Sequence, residues 1–411
     1  MARYAANPLR RSTPDWSAPE LAYTAAIAAR AQLPLHRSLP GYEPTPLRDC
    51  PDLARELGLG AVRVKDEAGR FGNDAFKGLG ASYAIFQVIS ARWRQATGQA
   101  LSPEAFRDPT VRERLGEITF AAATDGNHGR AVAWVARLIG QRAVIFMPAD
   151  AARARVAAVR REGATVELIA GTFDDCVAAC ATTAAERNWQ VIADTAYPGN
   201  LEIPGFIMTG YSTIFAEIAD QAAAAAAGAR VAAAPTEAAF DAVFLPAGVG
   251  GLAAAGAVSF VQQNAGARPR LVCVEPEESA CFLESILRGG GEPVAARGNQ
   301  QSIMVGLCCA VPSLLAWPVL RDAVDLFLAI EDEHALAAMR LYHRHGITAG
   351  ESGASTLAGL LALLDRRDLA PARAQLRLDA QSRVLLINTE GATDPEHYAR
   401  VIAGGNPGVS P

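Results

Sequence analysis

Lys77 stands in the segment RFGNDAFKGLGASYA, residues 70–84, with the apolar Phe76 before it and small residues after it. A lysine on a glycine-containing strand-to-helix turn can approach a cofactor closely. Burial there would depress its pKa and ready it for Schiff-base chemistry. A lone lysine is ordinarily a solvated surface residue. Two further segments argue otherwise: the loop Thr124-Asp125-Gly126-Asn127-His128-Gly129, and a glycine-rich turn at Gly248, Val249, Gly250 and Gly251. Lysine, polar asparagine loop and anion-cradling glycines, in that order, are the parts of a pyridoxal-phosphate (PLP) site.

The turn AGVGGLAAAG, residues 247–256, directly follows the apolar run DAVFLP. Its glycines let backbone N–H groups approach an anion, and a following helix adds its positive end. The same residues also satisfy a dinucleotide fingerprint, Gly248-x-Gly250-x-x-Ala253. Glu275 ends the next strand, where a ribose-binding acid would stand. On this turn alone an NAD-dependent oxidoreductase is the favoured reading, but it leaves Lys77 and the asparagine loop unexplained. That loop, ATDGNHGR, follows the run ITFAA and opens a helix. Such a terminus, with Thr124, Gly126 and Asn127 as donors, suits an α-carboxylate, and Asn127 can also donate to a phenolic oxygen. Asp125 is the odd member, because an acid beside a carboxylate site is repelled. It reads either as an N-cap or as an acid/base group whose pKa is raised by burial and a like-charged neighbour.

Positioning these residues requires strands that end at the loops and helices that begin there. Short β-rich runs fall at 61–65, 118–122, 143–147, 165–169, 191–193, 242–246, 271–274 and 384–388. Helical patterns follow at 78–97, 129–139, 151–162, 174–188, 204–226, 251–263, 333–345 and 352–365. The alternation predicts an α/β fold with mostly parallel twisted sheets flanked by helices. It is tightest over 115–203, which predicts a small α/β domain. Residues 1–114 with 204–411 would form a larger, discontinuous one. The active site would lie in the cleft between the two, outside the strand C-termini. The low-complexity stretch QAAAAAAGARVAAAPTEAA, residues 221–239, reads as a surface insertion without chemistry, because Gly228 and Pro235 interrupt its helical alanines.

A chain of 411 residues, half of them hydrophobic and a fifth charged, can bury a large core. A net charge of −5 gives no electrostatic reason to expect nucleic acid or an anionic membrane as partner. No apolar run approaches the ~18 residues that span a bilayer. The N-terminus lacks the apolar stretch of a secretory signal, so a cytoplasmic protein is expected. The seven cysteines show no CxxC spacing, and Cys176 with Cys180 reads as a small buried pair on a helix. His343-x-His345 has no acidic or cysteine partner at ligand spacing, so no metal site is expected.

The chain resembles the fold-type-II PLP enzymes, which include serine and threonine dehydratases and the tryptophan synthase β subunit. It is most similar to their diaminopropionate ammonia-lyase family. The strings that carry this are KDEAGRFGNDAFKGLGASYA, ATDGNHGRAVAW, DTAYPGNLEIPGFIMTGY, VEPEESACFLES, SIMVGL, ESGAS and NTEGATDPEHY, in the family's order from Lys65 to Tyr398. The resemblance implies that Lys77 anchors PLP covalently, that Phe76 lies beside its ring and that Asn127 meets the phenolic oxygen. Gly248, Val249, Gly250 and Gly251 would hold the phosphate, and Thr389 the pyridine nitrogen. A neutral hydroxyl there leaves the ring a weaker electron sink than an aspartate would, which suits elimination. Thr124, Asp125 and Gly126 would bind the substrate, and Asp194 its second amine.

The implied reaction is elimination of ammonia from D- and L-2,3-diaminopropionate, giving pyruvate, with Lys77 and Asp125 as proton acceptors for the L and D isomers. A homodimer is expected by analogy. The nearest rival is a serine/threonine-type dehydratase of the same fold, whose loop bears a small neutral residue where Asp125 stands. Three positions depart from the family pattern: Asp74 replaces an asparagine, Gly251 a serine, and GLCCAVPS at 306–313 the more usual GLACGEP-like stretch. They bear on cofactor hydrogen bonding and on the pocket for the substrate's amino group.

Overall fold

The computed structural model describes residues 2–124, 126–228, 239–263 and 268–405. Its strands are β1 (Arg3–Ala6), β2 (Leu47–Asp49), β3 (Ala61–Asp66), β4 (Thr119–Ala123), β5 (Arg142–Pro148) and β6 (Thr165–Ile169). Then follow β7 (Gln190–Val191), β8 (Ala242–Pro246), β9 (Arg270–Pro276), β10 (Leu326–Ile330) and β11 (Arg383–Asn388). One sheet runs β1-β10-β9-β8-β11-β3-β2, and a second runs β6-β5-β4-β7. All pairs are parallel except β1 with β10 and β2 with β3, at the edges of the larger sheet. Strands buried on both faces read as continuous apolar runs, and β8 and β10 are buried at every residue. The chain is thus an α/β protein of mostly parallel sheets covered by helices. The strands of the smaller sheet lie between residues 119 and 191, and those of the larger sheet flank them in sequence.

Three strands escaped the sequence pattern. β10 follows the helix Ala316–Ala323 after only Val324 and Asp325, with no glycine or proline to mark the boundary. β1 and β2 are short edge strands that exist through pairing with a neighbour rather than through alternation. The first part of the low-complexity stretch at 221–239 continues the helix expected over 204–226. The helix Glu202–Gly228 carries its alanines as far as Gly228, since alanine favours continuation. Gln221 there is half-buried and donates to the Thr45 carbonyl at 2.9 Å. Residues 229–238 lie outside the described residues.

Two long helices set the floor of the site, Lys77–Thr97 and Glu202–Gly228. They cross closely because Gly210 lets them: a Cβ there would fall 2.4 Å from the Leu79 carbonyl oxygen. The contact fixes Lys77 at the first turn of one helix relative to Tyr211 on the other. Cys176 and Cys180 are buried against Ala121, Val144 and Phe146 of the smaller sheet.

Candidate active site

The segment that presents Lys77 is held in an unusual course. Phe71 and Asp74 both take left-handed backbone, each with φ of 54°. An aspartate, like the asparagine it replaces, tolerates that conformation better than most residues. Arg130, on the helix Asn127–Leu138, secures the turn by donating to the Asp74 carboxylate at 2.9 Å and the Asn73 carbonyl at 2.8 Å. The segment is also stitched to the end of β11. Phe76 N–H donates to the Thr389 carbonyl at 3.2 Å, and Gly391 N–H to that of Asp74 at 2.9 Å. These bonds bring Lys77 and Thr389, distant in sequence, to one cavity wall.

The asparagine loop leaves the C-terminal end of β4. Thr124 N–H donates to the Phe146 carbonyl at 3.0 Å, and the Thr124 hydroxyl accepts from Gly126 N–H at 3.0 Å. Helix Asn127–Leu138 then begins at the cavity. The Asn127 amide donates to Glu390, whose other carboxylate oxygen accepts from Ser352 N–H at 3.1 Å. This explains why the helix expected from 352 begins only at Ser355: the residues just before it belong to the cavity wall. Asp194 follows β7, and its carboxylate accepts from the Lys77 ammonium at 2.7 Å. Its loop is tied through Ser313, whose hydroxyl accepts from Ala196 N–H at 3.1 Å. The Ser313 N–H in turn donates to the Val249 carbonyl at 3.0 Å.

That bond connects the Asp194 loop to the glycine turn. Gly250 has φ of +93°, and a Cβ there would lie 2.3 Å from the Phe282 ring and 2.9 Å from the Ala316 methyl. Only glycine fits, so the turn offers backbone N–H groups at the start of helix Gly251–Gln263, whose first turn carries no acid. Gly251 is different: a Cβ there meets Met208 and Tyr211 only at 3.6 and 3.7 Å, ordinary contact. A side-chain-free cradle at a helix N-terminus, in the same cavity as a lysine, fits the phosphate and aldehyde of PLP. It does not fit a dinucleotide. Glu275, expected for a ribose, is fully buried and accepts from Phe282 and Leu283 N–H at 2.8 and 2.9 Å. It closes a helix start and is pushed up to about 8 by burial.

Electrostatics corrects one expectation. Burial does oppose the Lys77 ammonium, but the Asp194 carboxylate outweighs it, so the lysine is held above its ordinary value rather than below. Asp194, despite its own burial, is held below the usual carboxylate range by Lys77. Burial keeps the His128 imidazole below its ordinary pKa. Glu351, next in sequence to the lining residue Ser352, is pushed up to about 7 by burial and by the neighbouring Glu390.

Phe76, Lys77, Thr124, Gly126, Asn127, Asp194, Gly248, Val249, Gly250, Gly251 and Thr389 all line this one cavity. Asp125 lies outside the described residues. The Phe76 ring sits 4.7 Å from that of Tyr211, and the Lys77 nitrogen is 5.5 Å from the Phe76 centroid. Sequence reasoning gave no role to His128, Arg155, Tyr211 or Glu390, which share the lining. His128, Tyr211 and Glu390 lie inside the family-like strings, so a signal existed, but a string does not say which of its side chains faces inward. Cys308 and Cys309 line the cavity too, placing that departure from the family pattern at the site. His343 and His345 instead meet Tyr398 at 3.2 Å and Glu56 at 2.9 Å on the surface.

An α/β fold with a lysine and a phosphate-type turn at one cavity defines a class of PLP-binding enzymes. The family model for pyridoxal-phosphate dependent enzymes matches residues 38–390. The chain belongs to that family and, within it, to the diaminopropionate ammonia-lyases. It is 35% identical to the diaminopropionate ammonia-lyase of Salmonella typhimurium over 91% of each chain. The Escherichia coli diaminopropionate ammonia-lyase, solved with D-serine, superposes with a TM-score of 0.86 at 33% identity, covering 100% of this chain and 99% of that one. The same E. coli enzyme, in complex with an aminoacrylate-PLP azomethine reaction intermediate, gives a TM-score of 0.83 at 33% identity over the same shares. The cofactor of this chain is PLP. Among the described residues no helix is long and apolar enough to cross a membrane.

Proposed function

We propose that this chain eliminates ammonia from 2,3-diaminopropionate, accepting both D and L isomers, and yields pyruvate with a second ammonia. The observation that carries the reading is the Lys77–Asp194 pair at 2.7 Å, in the cavity that also holds the glycine cradle, in a member of the ammonia-lyase family. Bound PLP supplies an electron sink at the substrate's Cα. Lys77 would anchor the cofactor covalently, the turn from Gly248 to Gly251 would hold its phosphate, and Thr389 would partner its ring nitrogen. Phe76 would pack beside the ring, and the Asn127 amide, which here donates to Glu390, would supply a donor to the phenolic oxygen.

Thr124, Gly126 and the helix start at Asn127 receive the substrate carboxylate. Lys77 Nζ, once free, would accept the Cα proton of the L isomer. Asp125 accepts that of the D isomer, from the opposite face. Asp194 then exchanges the lysine ammonium for the substrate's second ammonium. An amine kept protonated leaves as neutral ammonia, taking the C–N electron pair and requiring no further proton. Water completes the balance, one molecule consumed for each pyruvate and two ammonia released. The setting is a cytoplasmic homodimer by analogy with the family, and residues 115–203 act as the small domain of the cleft.

The decisive assay is pyruvate release from D- and L-diaminopropionate, with ketoacid release from D- and L-serine and threonine beside it. Diaminopropionate is expected to have the highest kcat/KM. Faster turnover of serine or threonine would assign the chain to the dehydratases instead.

A further inference from the structure

His128 occupies the helix start beside the lysine pair, and its side chain is nearly fully buried. Its Nε2 lies 2.7 Å from the Ile192 carbonyl oxygen, which can only accept, so Nε2 carries the proton. Burial favours the neutral ring, in which the other nitrogen, Nδ1, is a bare acceptor. It is buried and makes no hydrogen bond among the described residues. Asp194 Oδ2, a second acceptor, stands 3.9 Å from it. Neither atom has a proton to give the other, and that separation is too long for a hydrogen bond.

We infer that His128 Nδ1 and Asp194 Oδ2 form a two-acceptor seat that selects an ammonium as the leaving group. An ammonium nitrogen about 2.8 Å from each atom would subtend roughly 90° between them, within the bend that two N–H bonds accommodate. Asp194 already accepts from one ammonium, that of Lys77. A substrate β-ammonium seated between the two, displaced from the Lys77 position toward His128, satisfies both acceptors at once. A serine hydroxyl has one proton, so it satisfies one acceptor and turns a lone pair toward the other. A buried acceptor left unpaired is the basis on which such sites reject an analogue. His128 is therefore a specificity-determining residue, reading amine against hydroxyl. The inference rests on the diaminopropionate reading above.

The test is the ratio of kcat/KM for L-diaminopropionate to that for L-serine in the PLP-loaded enzyme. His128→Phe keeps a buried ring but removes the acceptor. The diaminopropionate value should fall roughly 10- to 100-fold, the range of a lost hydrogen bond to a charged group, while the serine value changes little. His128→Gln can donate to Ile192 and still offer an oxygen, so it should recover most of the ratio. Equal losses on both substrates, or an unchanged ratio in His128→Phe, would overturn the inference and leave His128 a packing residue.

Nitrogen-15 spectra of the enzyme labelled at its six histidines give a readout independent of turnover. They should show His128 protonated at Nε2 alone at pH 7. A proton on Nδ1 would overturn the seat, and this holds even where His128→Phe does not fold. A wild type that releases no pyruvate from diaminopropionate would instead sink the functional reading, a result distinct from either outcome for His128.

Discussion

Two lysines stand twelve residues apart in one segment, Lys65 and Lys77, and each has a carboxylate at 2.7 Å. Lys65 is fully buried and its three donors are spent on Glu217, the Thr45 carbonyl at 2.7 Å and the Gln221 side chain at 3.1 Å. Around it Arg70 pairs with Glu67 and Glu217, so two cations and two carboxylates close a neutral, saturated cluster. Lys77 keeps 19% of its side chain exposed and opens on the cavity. Burial lowers the pKa of Lys65, while Asp194 raises that of Lys77. A rule that seeks the lysine with the depressed pKa would choose the wrong one. Reactivity here follows from what the nitrogen can reach, and its charge is set by a partner that can be exchanged.

Removing each lysine should break the comparison most sharply. Lys77→Ala should abolish turnover and the borohydride-trapped pyridoxyl adduct, which mass spectrometry otherwise places on the peptide containing Lys77. Lys65→Met should retain the adduct but destabilise the fold by about 3–5 kcal/mol in urea unfolding, because it leaves an uncompensated buried carboxylate. An adduct on Lys65 in the wild type would reverse the two assignments.

The contrast between filled and open space extends to the glycine turn. Gly250→Asp places a carboxylate beside the phosphate and a side chain where Phe282 already stands, so PLP affinity should collapse. Titration of the refolded variant with PLP, followed by absorbance, measures it. If NAD rather than PLP protected the wild type against heat, the cradle would be a dinucleotide site after all.

Asp125→Asn sharpens the role of Lys77. The variant keeps shape but loses the proton acceptor, so D-diaminopropionate turnover should drop by ~10²–10⁴. L-isomer turnover should fall far less, because Lys77 remains. Equal losses would mean that Asp125 only positions the substrate.

Asp194→Asn addresses the charge itself. Without the carboxylate, burial acts on Lys77 against only Tyr211 and Cys309, and its pKa should fall well below that of the wild type. Covalent capture of PLP, which needs the neutral amine, should then reach its midpoint at lower pH than in the wild type. The stability of the cofactor-free protein follows the opposite signs of the two shifts. Asp194, held low, contributes stability above the usual carboxylate pKa that is lost as pH falls through its folded value. Lys77, held high, contributes below the usual lysine pKa and loses it as pH rises through its own. Thermal melts from pH 3 to 10 should show the variant less stable throughout that window.

What the sequence carried well was local. A strand that ends in a glycine turn, as β8 does, or in a polar loop, as β4 does, declares itself through a few adjacent residues, and the cavity lining was largely legible for that reason. What it hid was pairing over distance. Asp194 lies 117 residues from Lys77, and nothing in either neighbourhood announces that the two meet, so the direction of the lysine's pKa was misjudged. Glu390 taking the Asn127 amide, and Glu275 closing a helix instead of facing a ribose, are likewise products of the fold. The edge strands β1 and β2 were missed on the same grounds, since an edge is made by its partner.

The smallest expected effect comes from the one glycine of the turn that its surroundings do not require. Gly251 opens the helix Gly251–Gln263, and the space beyond its Cα holds Met208 and Tyr211 at ordinary contact distance. A serine, which the family resemblance leads one to expect here, therefore fits without displacing either neighbour. At that first helical position its hydroxyl can add a hydrogen bond to the phosphate beside the backbone amides. Gly251→Ser should thus tighten PLP binding by about 2- to 10-fold, the yield of one such bond, with kcat little changed. Equilibrium dialysis of the cofactor against wild type and variant gives the ratio. A weaker affinity in the serine variant would show that the turn is closed at this position too, and that glycine here is a requirement rather than a departure.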